Sequence, residues 1–136
     1  MKYPAIIRIN KYHNRTGSLF AINSHEKNKF PFKIKRIFFV NGKKNTLRGR
    51  HAHKYCSQLI ICLMGKIKIR ITDQYQKKYN FLLNDKKNIA LFLPKKYWIE
   101  LIYLGKKNMI SVLCDHKYDK KNDYIEDFNV FLKKND

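Results

Sequence analysis

The stretch that decides the fold is residues 48–65, RGRHAHKYCSQLIICLMG. It begins with a dense polar cluster in which a single residue separates His51 from His53. Residues two apart on an extended strand point to the same face, so the two imidazoles are expected to lie side by side. The apolar run SQLIICL (57–63) follows and ends before Gly65, where a turn is expected.

Short apolar segments surround this stretch and are repeatedly interrupted by turn residues. The segment Lys66–Thr72, KIKIRIT, alternates polar and apolar residues without a break, which is typical of a half-buried strand. Together with residues 57–63 it is predicted to form a hairpin at Gly65. The further predicted strands are residues 33–40, 78–83, 88–93, 98–104 and 109–114. Seven or more short strands at this spacing predict an all-β sandwich or barrel.

The C-terminal residues follow a different period. Beyond Asp123, the apolar residues that recur at helical spacing are Ile125, Phe128, Phe131 and Leu132. Asp123 and Glu126 have the relative positions of an N-cap and its capping-box partner. A short C-terminal helix that begins at Asp123 and packs on the sheet is therefore predicted.

The length and composition predict one folded domain over residues 1–136, since 44% of the residues are hydrophobic. No apolar run approaches the ~18 residues that cross a membrane, and the first ten residues lack the apolar core of a signal peptide. The three cysteines have no metal-binding spacing, and their odd number suits a reducing compartment. A cytoplasmic protein without a membrane partner is expected.

The formal net charge of +20 comes from 30 basic against 10 acidic residues. Of the basic residues 24 are Lys and only 6 are Arg, whereas contacts to bases and phosphates favour Arg. The lysines are scattered in pairs such as Lys43 and Lys44, which fall between the apolar runs. No nucleic-acid partner is expected; the positive field is expected to attract a small phosphorylated ligand.

The spacing of His51, His53, Gln58 and Gly65 resembles the metal-binding motif of the cupins, in which Glu stands at the position of Gln58. A later cupin segment resembles residues 94–99, with Ile99 at the position of the third His ligand. Because an amide is a weak ligand and Ile99 has no ligand atom, no metal is expected. An imidazole with a pKa of ~6.5 can take and return a proton near neutral pH, so the histidines are candidate proton-transfer groups. The alternative that both are packing or surface histidines stays open on these residues alone.

The sequence as a whole resembles the dTDP-sugar 3,4-ketoisomerases, small WxcM-like cupins of deoxysugar biosynthesis. The motifs that carry the resemblance are RGRHAHK (48–54) with Gln58 and Gly65, PFKIKR (31–36), Pro94 with Trp98, and DYI (123–125). The resemblance implies a cupin-type jelly roll, or double-stranded β-helix, with a short C-terminal helix. It also implies a homodimer in which the subunits share N-terminal strands.

The same resemblance implies an isomerase that moves the keto group of dTDP-4-keto-6-deoxyglucose from C4 to C3. His51 would transfer the carbon-bound proton from C3 to C4, and His53 would move the hydroxyl proton between the two oxygens. No cofactor is implied, because the reaction is internally redox-neutral. The implied substrate-binding residues are Arg48 and, more weakly, Arg36 for the pyrophosphate, Gln58 for a histidine or the sugar, and Trp98.

Three residues differ from those common in relatives: Ile99, Phe38 and Phe39 stand where polar side chains are frequent. The resemblance therefore leaves both C4 epimers of the product open. Two other functions also stay open. One is a dTDP-sugar 3,5-epimerase, which needs a His–Asp dyad and a Tyr acid, although no Asp lies near His51 in the sequence. The other is a non-catalytic module that binds a nucleotide sugar or a nucleic acid.

Overall fold

The computed structural model describes residues 2–23 and 30–133. The strands in these ranges are β1 (Ala5–Arg8), β2 (Asn10–Asn14), β3 (Gly17–Ala21), β4 (Arg36–Gly42), β5 (Leu47–His53), β6 (Gln58–Met64), β7 (Lys66–Thr72), β8 (Lys78–Asn84), β9 (Ile89–Leu93), β10 (Trp98–Tyr103), β11 (Asn108–Cys114) and β12 (Tyr124–Ile125). The helices are α1 (Lys120–Asp123), which precedes β12, and α2 (Phe128–Lys133). Each strand predicted from alternation is present, with ends that differ by up to three residues.

Two antiparallel five-stranded sheets make up the body of the protein. Their strand orders are β1-β9-β6-β11-β4 and β12-β5-β10-β7-β8. From β4 to β11 the chain crosses from one sheet to the other at every step except β7 to β8. This alternation is the topology of a double-stranded β-helix, so the prediction of a cupin-type jelly roll is confirmed.

The predicted hairpin at Gly65 is wrong, because β6 and β7 belong to different sheets. Gly65 has a φ of +88°, and a Cβ there would lie 2.3 Å from the Asn108 side chain. The side-chain oxygen of Asn108 accepts the backbone N–H groups of Lys66 and Gly105. Its side-chain amide nitrogen donates to the backbone carbonyls of Gly42 and Gly105. The chain therefore turns a corner around a buried amide, which local alternation cannot distinguish from a hairpin.

The main apolar core lies between the sheets. The alternation of β7 shows how it forms, since Ile67, Ile69 and Ile71 are fully buried and the residues between them are more exposed. A second cluster covers the outer face of the first sheet, where Phe30 and Phe92 are buried together. Both faces of β6 are therefore covered over most of its length, which explains its continuous apolar sequence.

A short C-terminal helix is confirmed, but it does not begin at Asp123. Asp119 caps α1 by accepting the backbone N–H of Asn122, and Asp127 accepts the N–H of Val130 at the start of α2. Asp123 ends α1 and is 1% exposed. The intervening β12 pairs with the edge of β5, which brings the C-terminal segment against the predicted site.

Within the part of the chain that the structure describes, no helix has the length and apolar character required to span a bilayer. The cytoplasmic location and the single-domain boundaries at 1–136 stay predictions.

Candidate active site

A cavity of about 270 Å³ lies between the two sheets. Four of the predicted site residues line it: Arg36 on β4, Arg48 and His51 on β5, and Gln58 on β6. Tyr124 of β12 contributes a further polar side chain. The rest of the wall is mostly apolar and includes Phe38, Val40, Ile60, Ile99, Leu101, Ile110 and Val112. A few polar groups in an apolar cavity are typical of a small-molecule site.

A bulge in β5 brings Arg48 and His51 to the same face. Residues three apart on a regular strand face opposite sides. His51 pairs with Ile99 of β10, Gly49 pairs with the next residue of β10, and Arg50 is therefore an extra residue in β5. Gly49 and Arg50 have φ values of +84° and +58°, and a Cβ on Gly49 would lie 3.0 Å from the Ile99 carbonyl oxygen. Alternation alone would turn Arg48 away from the cavity, and the bulge reverses this.

His51 and His53 lie side by side, as predicted, with ring centroids 4.9 Å apart and ring planes at 90°. His51 forms part of the cavity wall. Burial, with a smaller contribution from His53, lowers the pKa of His51 from 6.5 to about 4. The imidazole is therefore neutral at pH 7 and is able to accept a proton.

His53 is buried behind the cavity wall and is paired with Asp123. Its Nδ1 lies 2.6 Å from Asp123 Oδ2, while Asp123 Oδ1 accepts the backbone N–H groups of Tyr55 at 2.8 Å and Cys56 at 3.2 Å. Burial raises the pKa of Asp123, but the hydrogen bonds from Tyr55 and His53 outweigh it and lower the pKa. The ionised carboxylate fixes the ring proton of His53 on Nδ1, which leaves Nε2 as an acceptor.

Gln58 lies between His53 and the cavity. Its amide nitrogen is 3.4 Å from His53 Nε2, at the long end of hydrogen-bond range, and the side chain also lines the cavity. Burial lowers the pKa of His53 despite its hydrogen bond to Asp123, so the ring is neutral at pH 7 and its Nε2 faces the Gln58 amide.

The His53–Asp123 dyad is the part of the site that the sequence analysis misses. The two residues are 70 positions apart, and the helical period of the C-terminus suggests a capping role for Asp123. The sequence signal for Asp123 as a site residue is the DYI segment (123–125), which enters only as part of the family resemblance. The lack of an Asp near His51 in the sequence is therefore no argument against a 3,5-epimerase, because the fold supplies one.

Tyr124 lies against both histidines, with its ring centroid 5.1 Å from that of His51 and 4.4 Å from that of His53. Burial raises the pKa of its hydroxyl despite the opposing effect of the nearby Arg36 guanidinium. The guanidinium carbon of Arg36 is also 4.5 Å from the ring centroid of Phe38 and 4.8 Å from that of Tyr118. These contacts hold one positive charge beside the imidazoles.

A second, more open groove of about 600 Å³ shares Gly49, His51 and Tyr124 with the cavity. Trp98 lines this groove rather than the cavity. The indole is 4% exposed and packs on Phe128 and Phe131, with centroid distances of 5.2 and 5.8 Å. Trp98 thus belongs mainly to the apolar cluster that anchors α2. It is linked to the site because it also lines the groove.

The donor groups near the histidines do not form an open set of metal ligands. Ile99 lies opposite His51 and has no ligand atom. Ligand atoms of His53, Cys56 and Asp123 lie within 4.8 Å of one another. However, His53 and Asp123 are joined by a hydrogen bond, and the Cys56 thiol donates to the Ser57 carbonyl at 3.5 Å. The neighbouring Cys114 and burial raise the pKa of Cys56, which disfavours the thiolate that a metal requires.

Comparison with known proteins gives one consistent result. Residues 2–136 match the family described as FdtA: WxcM-like, C-terminal. A TDP-4-oxo-6-deoxy-alpha-D-glucose-3,4-oxoisomerase of Aneurinibacillus thermoaerophilus is 30% identical over 129 residues, which are 94% of this chain and 89% of that protein.

Solved structures agree with the sequence matches. The sugar 3,4-ketoisomerase QdtA of Thermoanaerobacterium thermosaccharolyticum, in complex with TDP, superposes with a TM-score of 0.86 at 29% identity, covering 96% of this chain and 93% of that one. A variant of the same enzyme in complex with TDP-4-keto-6-deoxyglucose superposes with a TM-score of 0.87 at 29% identity, covering 98% of this chain and 95% of that one. A dTDP-4-dehydrorhamnose 3,5-epimerase of Bacillus anthracis gives 0.81 at 16% identity, covering 88% and 76%, which is a likeness of fold alone.

Proposed function

The chain belongs to the FdtA family of WxcM-like proteins, and from this premise we propose that it is a TDP-sugar 3,4-ketoisomerase acting on dTDP-4-keto-6-deoxyglucose. The observation that carries the proposal is the neutral imidazole of His51 in the wall of a cavity that also contains Arg36 and Arg48. A neutral base beside fixed positive charge is what proton abstraction next to a carbonyl requires.

His51 acts as the base. It removes the proton from C3 of the sugar, next to the C4 carbonyl, and the C3–H electron pair forms the C3–C4 double bond of an enediolate. The protonated His51 exchanges its proton with solvent and then delivers a proton to C4, so that the product is an isomer of the substrate. The guanidinium of Arg36 and the hydroxyl of Tyr124, which both line the cavity, stabilise the negative charge that develops on the C4 oxygen.

His53 moves the second proton, from the hydroxyl on C3 to the oxygen on C4. Asp123 keeps the ring proton on Nδ1, so that Nε2 is the atom that receives and returns the substrate proton. The Gln58 amide covers Nε2 at 3.4 Å, and a substrate hydroxyl replaces this long hydrogen bond. No external oxidant or reductant takes part, because C3 is oxidised as C4 is reduced.

Arg48 binds the diphosphate. Its side chain is exposed yet lines the cavity, so the charge lies where a dianionic group can remain partly solvated. A guanidinium offers paired donors that suit phosphate oxygens. Arg36 is a weaker candidate for the diphosphate because its guanidinium packs on the rings of Phe38 and Tyr118. Trp98 contributes a wall of the outer groove.

Isomerisation in deuterated water tests the proposal. The protein incubated with dTDP-4-keto-6-deoxyglucose, without added metal, is expected to yield a 3-keto sugar with solvent deuterium at C4. The H4–H5 coupling constant of the product formed in ordinary water determines its C4 configuration. The His51→Gln variant serves as the control, with turnover lost and dTDP binding retained. Unaltered sugar contradicts the proposal, and deuterium at C5 favours the 3,5-epimerase, whose His–Asp dyad the site also contains.

We further propose that the enzyme is a homodimer in which the β2–β3 hairpin contacts a second copy. The hairpin pairs with no other strand in the described part of the chain, and it exposes Tyr12, Leu19 and Phe20 by 60, 59 and 47%. An isolated two-stranded ribbon is marginally stable, so a partner surface for these side chains is expected.

Sedimentation equilibrium of the full chain tests the dimer. The Leu19→Glu variant is expected to sediment as a monomer, because it places a charge in an apolar contact. Arg15→Gln, which removes a charge from an exposed residue in the turn of the same hairpin, is the matched control and should remain dimeric. A monomeric wild type overturns this proposal.

A further inference from the structure

Tyr103, the last residue of β10, is a cavity residue that the proposed mechanism leaves unused. Its side chain is 0% exposed and lines the cavity together with Arg48. The ring lies directly against Gly42, where a Cβ would approach the ring carbons to 2.3 Å. The absence of a side chain at Gly42 therefore fixes the place of this ring in the barrel.

The hydroxyl of Tyr103 has no partner. Across residues 2–23 and 30–133, it is the one buried side-chain oxygen or nitrogen without a hydrogen bond. Leaving a buried hydroxyl unpaired costs free energy that a phenylalanine would not cost. The retention of this hydroxyl in an otherwise apolar part of the wall points to a partner that arrives with the ligand.

The position of Tyr103 identifies which part of a ligand it meets. Along β10, Ile99 lies opposite His51, Leu101 lies opposite Arg48, and Tyr103 follows two residues later. Two residues of a strand span about 7 Å, so the order along the cavity is base, guanidinium and then hydroxyl. Arg48 and Tyr103 lie on the paired strands β5 and β10, and both line the cavity.

We propose that the Tyr103 hydroxyl is a second donor, beside Arg48, for the diphosphate of the substrate. This inference rests on the proposed function, which assigns the diphosphate to Arg48. One phosphate carries several acceptor oxygens, and a hydroxyl donates to them in addition to a guanidinium. Ligand binding pairs the one donor that the free protein leaves unpaired, so part of the affinity comes from relieving that cost.

The Tyr103→Phe variant of the full chain tests the proposal, with calorimetric titration of dTDP and of thymidine, which has no phosphate. Loss of a hydrogen bond to a charged group is expected to weaken dTDP binding about tenfold or more, while thymidine binds as to the wild type. The melting temperature of the free variant should equal or exceed that of the wild type, because the lost hydroxyl had no partner. Tyr97→Phe is the matched control: its hydroxyl donates to the Lys2 carbonyl at 3.2 Å, and dTDP affinity should not change.

Each other outcome overturns the inference. An unchanged dTDP affinity in Tyr103→Phe, with or without a lower melting temperature, means that the hydroxyl does not meet the ligand. An equal loss for dTDP and thymidine means that it meets the nucleoside and not the diphosphate. The wild type is assayed first for dTDP binding and isomerisation, since failure there contradicts the proposed function rather than the role of Tyr103.

Discussion

The basicity of the proposed catalytic imidazole is set by its surroundings. His51 is neutral at physiological pH because burial lowers its pKa from 6.5 to about 4. A base with a low pKa is a weaker acceptor, but it is present almost entirely in the reactive form. The adjacent guanidinium of Arg36 compensates in part, since it stabilises the anion that proton removal creates.

The low pKa of His51 predicts the acidic limb of the pH profile. As pH falls, kcat/KM is expected to stay level through about pH 6 and to drop as His51 becomes protonated near pH 4. Between pH 6.5 and about pH 4 the unfolded chain binds a proton at His51 that the folded chain does not. The free energy of unfolding therefore decreases as pH falls below 6.5. Circular dichroism at each pH separates loss of activity from unfolding. A limb near pH 6.5 contradicts the prediction.

The His53–Asp123 pair predicts a loss of turnover in Asp123→Asn. The amide would present an N–H to Nδ1, so the ring proton would move to Nε2 and the acceptor facing Gln58 would be lost. By comparison with other His–Asp pairs, kcat is expected to fall by about two to four orders of magnitude.

Asp85→Asn is the matched control for this variant, because Asp85 is exposed and accepts only the backbone N–H of Gly65 at 3.0 Å among the hydrogen bonds described for its side chain. Its kcat should remain within about threefold of the wild type, since surface substitutions remote from a site have small effects. Equal kcat values for the two Asp variants would show that the dyad does not act in catalysis.

At the scale of the elements, the corner between β6 and β7 depends on one amide. Asn108 is 3% exposed and joins the Gly65 corner, the Gly105 turn and the end of β4 through four hydrogen bonds. In Asn108→Ala the partners stay buried without their bonds, so the free energy of unfolding is expected to fall by about 2–4 kcal/mol. Urea denaturation measures this loss.

Asn84→Ala is the control for the Asn108 variant. Asn84 makes a single exposed bond, accepting the backbone N–H of Lys86 at 2.9 Å, and its loss should cost less than about 1 kcal/mol. If the two variants lose the same stability, the corner does not depend on the buried amide.

The elements also show which parts of the fold the sequence determines locally. Alternation such as that of Lys66–Thr72 identifies strands because each residue's face depends only on its neighbours. Sheet membership does not follow from it, since the corner at Gly65 is set by Asn108, which lies 43 residues further along the chain. The same limit hides Asp123 as the partner of His53, whereas the His51–His53 juxtaposition is local and was predictable.

At the scale of the whole molecule, the charge of +20 produces a field that extends beyond the cavity. Scattered lysines cannot recognise a diphosphate, but together they raise the rate at which a dianion encounters the protein. Among the Lys and Arg side chains of residues 2–23 and 30–133, only Arg36 and Arg48 line the cavity itself. The general charge therefore affects association, and the two arginines affect affinity.

Because the general charge affects association and the two arginines affect affinity, kcat/KM is expected to depend on salt concentration. Raising NaCl from about 20 to about 500 mM shortens the screening length severalfold, and kcat/KM is expected to fall several-fold while kcat is unchanged. Arg48→Gln should weaken binding at every salt concentration and retain most of the wild-type slope, because it removes one charge among many. Steady-state kinetics across the salt series measures both, and a salt-independent kcat/KM would contradict the prediction.

The extra residue in β5 has a consequence for how such a site evolves. Deleting Arg50 would restore a regular strand in which Arg48 still pairs with Leu101, and Arg48 would keep the face of His51, because residues two apart on a strand share a face. The register before and after position 50 is the same with or without the extra residue, so the insertion is absorbed where it occurs. A one-codon change of length at this position can thus alter the path of the backbone beside the base while the set of side chains in the cavity wall is preserved.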